Sequence, residues 1–95
     1  MKEIEFEKYL LADKNITSKT KALRSRISKA RLLERHFEKS LDEIVCCDDE
    51  MYKTLMRIKA EIKDTNGTVS NALRKYYVFA NGKSFPALND YDNKG

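Results

Sequence analysis

Leu23, Ile27, Ala30, Leu33 and Phe37 recur at intervals of 4, 3, 3 and 4. That spacing keeps one side of an α-helix apolar for about four turns, so the middle of the chain is expected to be a long amphipathic helix. Thr17 or Ser18 stands where a hydroxyl can cap its free N-terminal amides. Lys21, Arg24, Lys29 and Arg31 fall on the other faces, open to solvent or to a partner.

The same periodicity organises the rest of the chain. Phe6, Tyr9 and Leu10, extended by Ile4 and Leu11, predict a first helix over about residues 3–13. Ser40-Leu41-Asp42-Glu43 has the Ser-x-x-Glu form of a capping box and predicts a short third helix at a corner. Met51, Leu55, Ile58 and Ile62 repeat at 4, 3 and 4 behind the acidic triplet Asp48-Asp49-Glu50. Acidic residues suit a helix N-terminus, and this fourth helix is expected to reach about residue 64. Asn66-Gly67 stops it, Thr68 or Ser70 is a candidate cap, and Val69, Leu73, Tyr76 and Ala80 carry a fifth helix, widened by Ala72, Tyr77 and Phe79. Asn81-Gly82 ends that helix with a residue that accepts positive φ.

With three Gly and one Pro, turn formers are too few for a many-stranded sheet. The expected fold is all-α, a compact bundle of four main helices plus a short one, in a single domain over residues 1–82. Residues 83–95 lack periodicity and are expected to be an extended or disordered tail. In it Phe85 and Leu88 either dock on the bundle or begin an interdomain linker.

Charge is segregated along the chain. Residues 14–36 hold eight Lys or Arg against Glu34 alone, net +7, and residues 37–50 hold six acids against Lys39, net −5. A basic helix between acidic neighbours is the expected footprint of a polyanion-binding face, or else a solvated surface rich in Lys and Arg. No apolar run approaches the roughly 20 residues of a membrane span, and Met1-Lys2-Glu3-Ile4-Glu5 does not open a secretory signal. No membrane partner is expected, and the expected location is cytoplasmic.

Two stretches share one grammar: Thr17-Ser-Lys-Thr-Lys-Ala-Leu-Arg-Ser-Arg-Ile27 and Thr68-Val-Ser-Asn-Ala-Leu-Arg-Lys-Tyr-Tyr-Val-Phe79. Each opens on hydroxyls and continues into a basic amphipathic helix. Over residues 3–82 the arrangement resembles the N-terminal core-binding domain of tyrosine recombinases and phage integrases, a SAM-like helical bundle that grips DNA opposite a catalytic domain. Thr68, Leu73, Arg74, Tyr77 and Phe79 match the phrase carried by the last helix of that family. Leu23 or Arg24 stands where family members often place an aromatic residue in the second helix, a departure from the pattern. The resemblance implies double-stranded DNA as partner and a contribution to site recognition in DNA integration and recombination. It also implies a bacterial or phage setting near the nucleoid, and a C-terminal catalytic domain or further copies of the chain as associates. The family's catalytic Arg, Lys, His and nucleophilic Tyr have no counterpart cluster in these 95 residues, so the chain is not expected to be an enzyme by itself.

The residues expected to touch DNA follow from chemistry. Thr17, Ser18, Thr20, Thr68 and Ser70 can donate to phosphate oxygens beside the positive ends of two helices, although ordinary capping needs one hydroxyl per helix. Lys19, Lys21, Arg24, Arg26 and Lys75 can neutralise phosphates, or form a solvated face. Asn71 and Arg74, three apart on the fifth helix, are the candidates for base edges, since Asn pairs bidentately with adenine and Arg with guanine. The competing reading is a protein-interaction module, favoured if the charges of the second helix spread around its circumference.

No cofactor or metal is expected. The adjacent Cys46-Cys47 fits neither a disulfide framework nor a zinc site, and both thiols are expected to be small buried groups. His36 ends the second helix, where a cation suits the dipole. Tyr9, Tyr76 and Tyr77 fall at core positions, Tyr52 and Tyr91 at unassigned ones, and helix capping explains Asp48-Asp49-Glu50 without an ion.

Overall fold

A computed structural model describes residues 1–12, 19–62 and 67–92. Within them lie six helices: α1 (Glu3–Leu11), α2 (Lys19–Phe37), α3 (Leu41–Val45), α4 (Asp48–Glu61), α5 (Thr68–Asn81) and α6 (Leu88–Asp92). No strand occurs among the described residues. The fold is an all-α bundle whose radius of gyration, 12.8 Å, is close to the roughly 12.4 Å of a packed domain this long.

Helix α2 is the spine. Ala30 and Leu33 are fully buried, Ile27 nearly so, and Leu23 and Phe37 pack against the same core from its ends. Its apolar stripe meets α5 most extensively, and α1 crosses both. Phe6 of α1 inserts between them, its ring 4.9 Å from Tyr76 in an edge-on arrangement and 5.5 Å from Phe79. Phe6 and Leu10 are the buried pair of α1, whereas Ile4 is 67% and Leu11 42% exposed. These two lie seven residues apart, on the opposite side of the helix from Phe6 and Leu10.

The corner after α2 is built as the capping box predicts in one half only. The hydroxyl of Ser40 accepts the Glu43 backbone N–H at 3.3 Å. The Leu41 N–H, another of the orphan donors at the start of α3, is taken by Glu34 Oε2 from α2 at 2.9 Å. Glu38, between the two helices, sits at φ +54°, a left-handed conformation that an L-residue with a Cβ adopts at a cost.

Several boundaries differ from the sequence reading. Helix α1 stops at Leu11, and α4 stops at Glu61 because Ile62 is extended (φ −115°, ψ 132°). The cap position of α5 is Gly67 at φ +69°, which makes Thr68 the first helical residue rather than the cap. Its end is as expected: Gly82 at φ +72° donates its N–H to Val78 O at 2.8 Å. Ala80 is exposed and Tyr77 is buried in its place, since the stripe of α5 drifts through Val69, Ala72, Leu73, Tyr76 and Tyr77. Both cysteines are exposed, contrary to the expectation of burial; Cys46 and Cys47 occupy the turn between α3 and α4, where the chain changes direction at the surface.

After Gly82, part of the segment expected to be an extended or disordered tail packs on the bundle. Residues 84–87 form neither helix nor strand, α6 follows, and Phe85 is 5% exposed inside the core cluster. Its ring lies 5.2 Å from Tyr77 and 5.3 Å from Tyr91, and Tyr91 stacks on Tyr52 of α4 at 5.1 Å. Of the two fates open to Phe85 and Leu88, both residues take the docked one.

Candidate nucleic-acid interface

Two residues apart on a helix means about 200° around it. Arg24 and Arg26 therefore serve different sides of α2. Arg24 lines a groove of about 540 Å³ between α1 and α2, together with Glu3, Glu7, Arg31 and Arg35. That groove is partly neutralised from within. Arg31 donates from Nε and Nη2 to the two carboxylate oxygens of Glu3 at 2.7 and 2.6 Å, which lowers the Glu3 pKa and raises that of Arg31.

Arg26 lines a second depression of about 300 Å³, walled by Asn71, Arg74 and Lys75 of α5 and by Ser84. Val78 and Phe85 supply its apolar surface, and among the described residues no acid lines it. Arg26 is half-buried because it follows Leu23 by three and precedes Ala30 by four, which places it on the flank of the core stripe. Its Nε atom is buried and has no hydrogen-bond partner among the described residues.

Arg74 occupies this depression in a role the sequence did not suggest. Its Nη1 donates to the carbonyls of Phe85 at 3.1 Å and Pro86 at 3.2 Å, and the guanidinium stands 5.8 Å from the Phe85 ring centre. Burial lowers its pKa from the ordinary arginine value, yet arginine remains cationic at neutral pH. Of the two residues expected at base edges, Asn71 is exposed and Arg74 holds the 85–86 backbone.

The remaining expected contacts divide. Lys21 is exposed on α2. Lys19 and Thr20 lie in the first turn of α2, and their side chains, like Thr17 and Ser18 altogether, fall outside the described residues. Thr68 is exposed at the start of α5; Ser70 is half-buried in a neighbouring depression with Leu55, Lys59, Leu88 and Arg74, which lines both. The structure thus brings Asn71, Arg74 and Lys75 together with Arg26, and sends Arg24 elsewhere. Ser84 lay beyond the expected site altogether, in the segment read as tail.

Among the described residues, none of the acids that follow α2 in sequence forms an ion pair with a Lys or Arg of α2. Tyr76, Tyr77 and Tyr91 donate their hydroxyls to Asp42, Asp48 and Asp49 at 2.5, 2.7 and 2.6 Å. Burial, then the Asp48 contact, pushes the Tyr77 hydroxyl up to about 12; the Asp49 hydrogen bond does the same for Tyr91, to about 12. Hydroxyls held protonated in this way are the reverse of activated nucleophiles. Glu50 pairs with Lys39 at 3.0 Å, and Glu61 takes a two-point contact from Arg57 while lying 3.2 Å from His36 Nε2. Lys21, Arg24, Lys29 and Arg35 carry no ion pair among the described residues. No helix of the described residues is long and apolar enough to cross a membrane. No family model, curated protein or solved structure matches this chain.

Proposed function

We propose that this chain is a double-stranded DNA-binding module that grips backbone phosphates through α2 and the cleft between α2 and α5, and that it binds rather than catalyses. The observation that carries the reading is that the charge segregation of the sequence survives folding. Asp42, Asp48 and Asp49 are engaged by tyrosine hydroxyls and Glu50 by Lys39, while Lys21, Arg24, Lys29 and Arg35 of α2 carry no ion pair among the described residues. A long-lived excess of one sign on one helix raises the local concentration of a polyanion and speeds its association. The resemblance of residues 3–82 to recombinase core-binding domains supports the same partner and a place in DNA integration or recombination alongside a catalytic domain.

Phosphate gripping follows better than base reading. Arg74 is engaged by the 85–86 backbone, and Asn71 alone offers only one bidentate edge. Titration of a fluorescent duplex with the chain at two salt concentrations, with an acidic protein as control, tests the reading. About five neutralised phosphates would weaken binding roughly 500-fold over a roughly fourfold rise in salt. Absence of binding at low salt overturns it.

One observation favours a second reading, a protein-interaction module. The charges of α2 spread into two separate depressions, and α1 exposes Ile4 and Leu11 on one face beside the mixed-charge groove. A second copy is the partner this fits, and sedimentation of the chain without DNA reads it directly: a concentration-dependent dimer supports this reading, and a monomer at all concentrations removes it.

A further inference from the structure

We infer that the groove between α1 and α2 seats the phosphates of one DNA strand, and that Glu3 stands in for a phosphate on Arg31 until the strand displaces it. This rests on the DNA reading, and adds to it a groove and a residue of the chain that competes with the ligand.

Arg24, Ser28, Arg31 and Arg35 follow one another at intervals of 4, 3 and 4, so they share one face of α2 over about 16 Å. All four are exposed, and all four line the groove of about 540 Å³ whose apolar surface comes from Leu23 and Ile27. The helical period that gives α2 its buried stripe therefore gives it a second, basic stripe beside α1. Arg24 and Arg35 carry no ion pair among the described residues, so two of its three cations are open to an anion.

Arg31 already holds one. Its Nε and Nη2 donate to the two carboxylate oxygens of Glu3. A carboxylate received in this two-point way fills the fork that two phosphate oxygens would fill, because both anions present paired acceptors to the planar guanidinium. The contact lies at the surface, where the Arg31 side chain is 59% exposed. Exposed pairs gain little from their partners, so a strand lying along Arg24 and Arg35 can take Arg31 from Glu3 without opening the core. An internal competitor lowers the apparent affinity by the fraction of chains in which it occupies the site. Glu7 is the internal contrast: it lines the same groove and forms no ion pair among the described residues. Both acids repel a strand through space, but only Glu3 also fills a guanidinium fork.

The test compares two substitutions of equal charge, with a fluorescent duplex as the probe. Glu3→Gln should tighten binding roughly two- to fivefold, and Glu7→Gln should give a smaller gain. In an Arg31→Gln background the advantage of Glu3→Gln over Glu7→Gln should vanish, since the contact it relieves is gone. Arg31→Gln by itself should lower the log–log salt slope by about 0.9, although Arg31 is paired in the free chain. The wild-type chain supplies a readout that no substitution perturbs: the duplex should move the Arg31 Nε–H resonance together with those of Arg24 and Arg35.

The outcomes separate this inference from the reading beneath it. A duplex bound with steep salt dependence that moves Arg24 and Arg35 and leaves Arg31 in place overturns the competition, as do equal gains from the two glutamine variants. A bound duplex that moves none of the three arginines overturns the groove, while the DNA reading stands. A duplex bound at low salt by neither the wild type nor Glu3→Gln overturns the DNA reading and the groove with it.

Discussion

The hydroxyl of Tyr76 donates to Asp42 Oδ1 at 2.5 Å and accepts the Lys2 backbone N–H at 2.9 Å. One phenol on α5 thereby ties the start of α1 to α3, with Asp42 Oδ2 also 3.4 Å from the Met1 amino nitrogen. Tyr76→Phe leaves both a carboxylate and an amide short of a partner in a part-buried place, and should cost about 1–3 kcal/mol. Urea unfolding measures it; a midpoint equal to wild type would mean that water replaces the phenol without loss.

Alkaline pH should expose the same network. Tyr77 and Tyr91 ionise at about 10 when unfolded and at about 12 in the fold. A raised folded pKa is a contribution fully present below the unfolded value, here pH 10, and lost as pH rises through the folded one. Stability should therefore hold between pH 7 and 9 and decline from about pH 10 toward 12. Tyr77→Phe should flatten that decline while lowering the plateau. An unaltered alkaline slope in Tyr77→Phe would assign the decline to other groups.

Arg74→Met tests the tether. It removes two hydrogen bonds from a cationic donor to Phe85 and Pro86, and the neighbouring ring contact. Amide exchange over residues 85–91 should speed by roughly tenfold to a hundredfold, corresponding to about 1.4–2.8 kcal/mol of local stability, with α1 and α2 amides little changed. Phe85→Ala should go further, at roughly 3 kcal/mol, because it empties the slot beside Tyr77 and Tyr91. Unchanged protection in Arg74→Met would show that Phe85 packing alone holds the segment.

Two left-handed positions should respond with opposite signs. Glu38 at φ +54° carries a Cβ where glycine is at ease, so Glu38→Gly should stabilise by roughly 0.5–1 kcal/mol after the entropy of glycine in the unfolded chain is counted. Gly82→Ala at φ +72° should cost about 1 kcal/mol. An added Cβ at Gly82 meets nothing within 4 Å, so that cost is backbone conformation alone. Thermal unfolding of the two variants side by side checks both.

Local periodicity was enough to place the helices. Leu23, Ile27, Ala30, Leu33 and Phe37 line one side of α2 whatever it packs on, and Gly82 closes α5 because only its own φ is at issue. Ser40 reads as a cap for the same reason, its acceptor being three residues away. Boundaries such as Ile62, and the exposure of Ile4, Ala80 and the two cysteines, depend on which neighbours cover a residue, and spacing along one helix does not carry that information.

The site divides along the same line. Sequence by itself determined an all-α chain with a basic second helix, because helix periodicity and net charge are properties of adjacent residues. The sequence reading groups Arg24 with Arg26 as phosphate contacts, although two positions apart on one helix puts them on different sides. Only the tertiary structure decided what each cation meets: that Arg26 joins Asn71 and Lys75 beside Ser84, that Arg74 is drawn to the carbonyls of Phe85 and Pro86, and that Asp42, Asp48 and Asp49 turn to tyrosines rather than to α2. The hydrogen-bonded pairs among these stand 11 to 42 residues apart along the chain. A charge or a donor is satisfied by whatever the packing of apolar stripes brings within hydrogen-bond reach, and that packing is a property of the whole bundle.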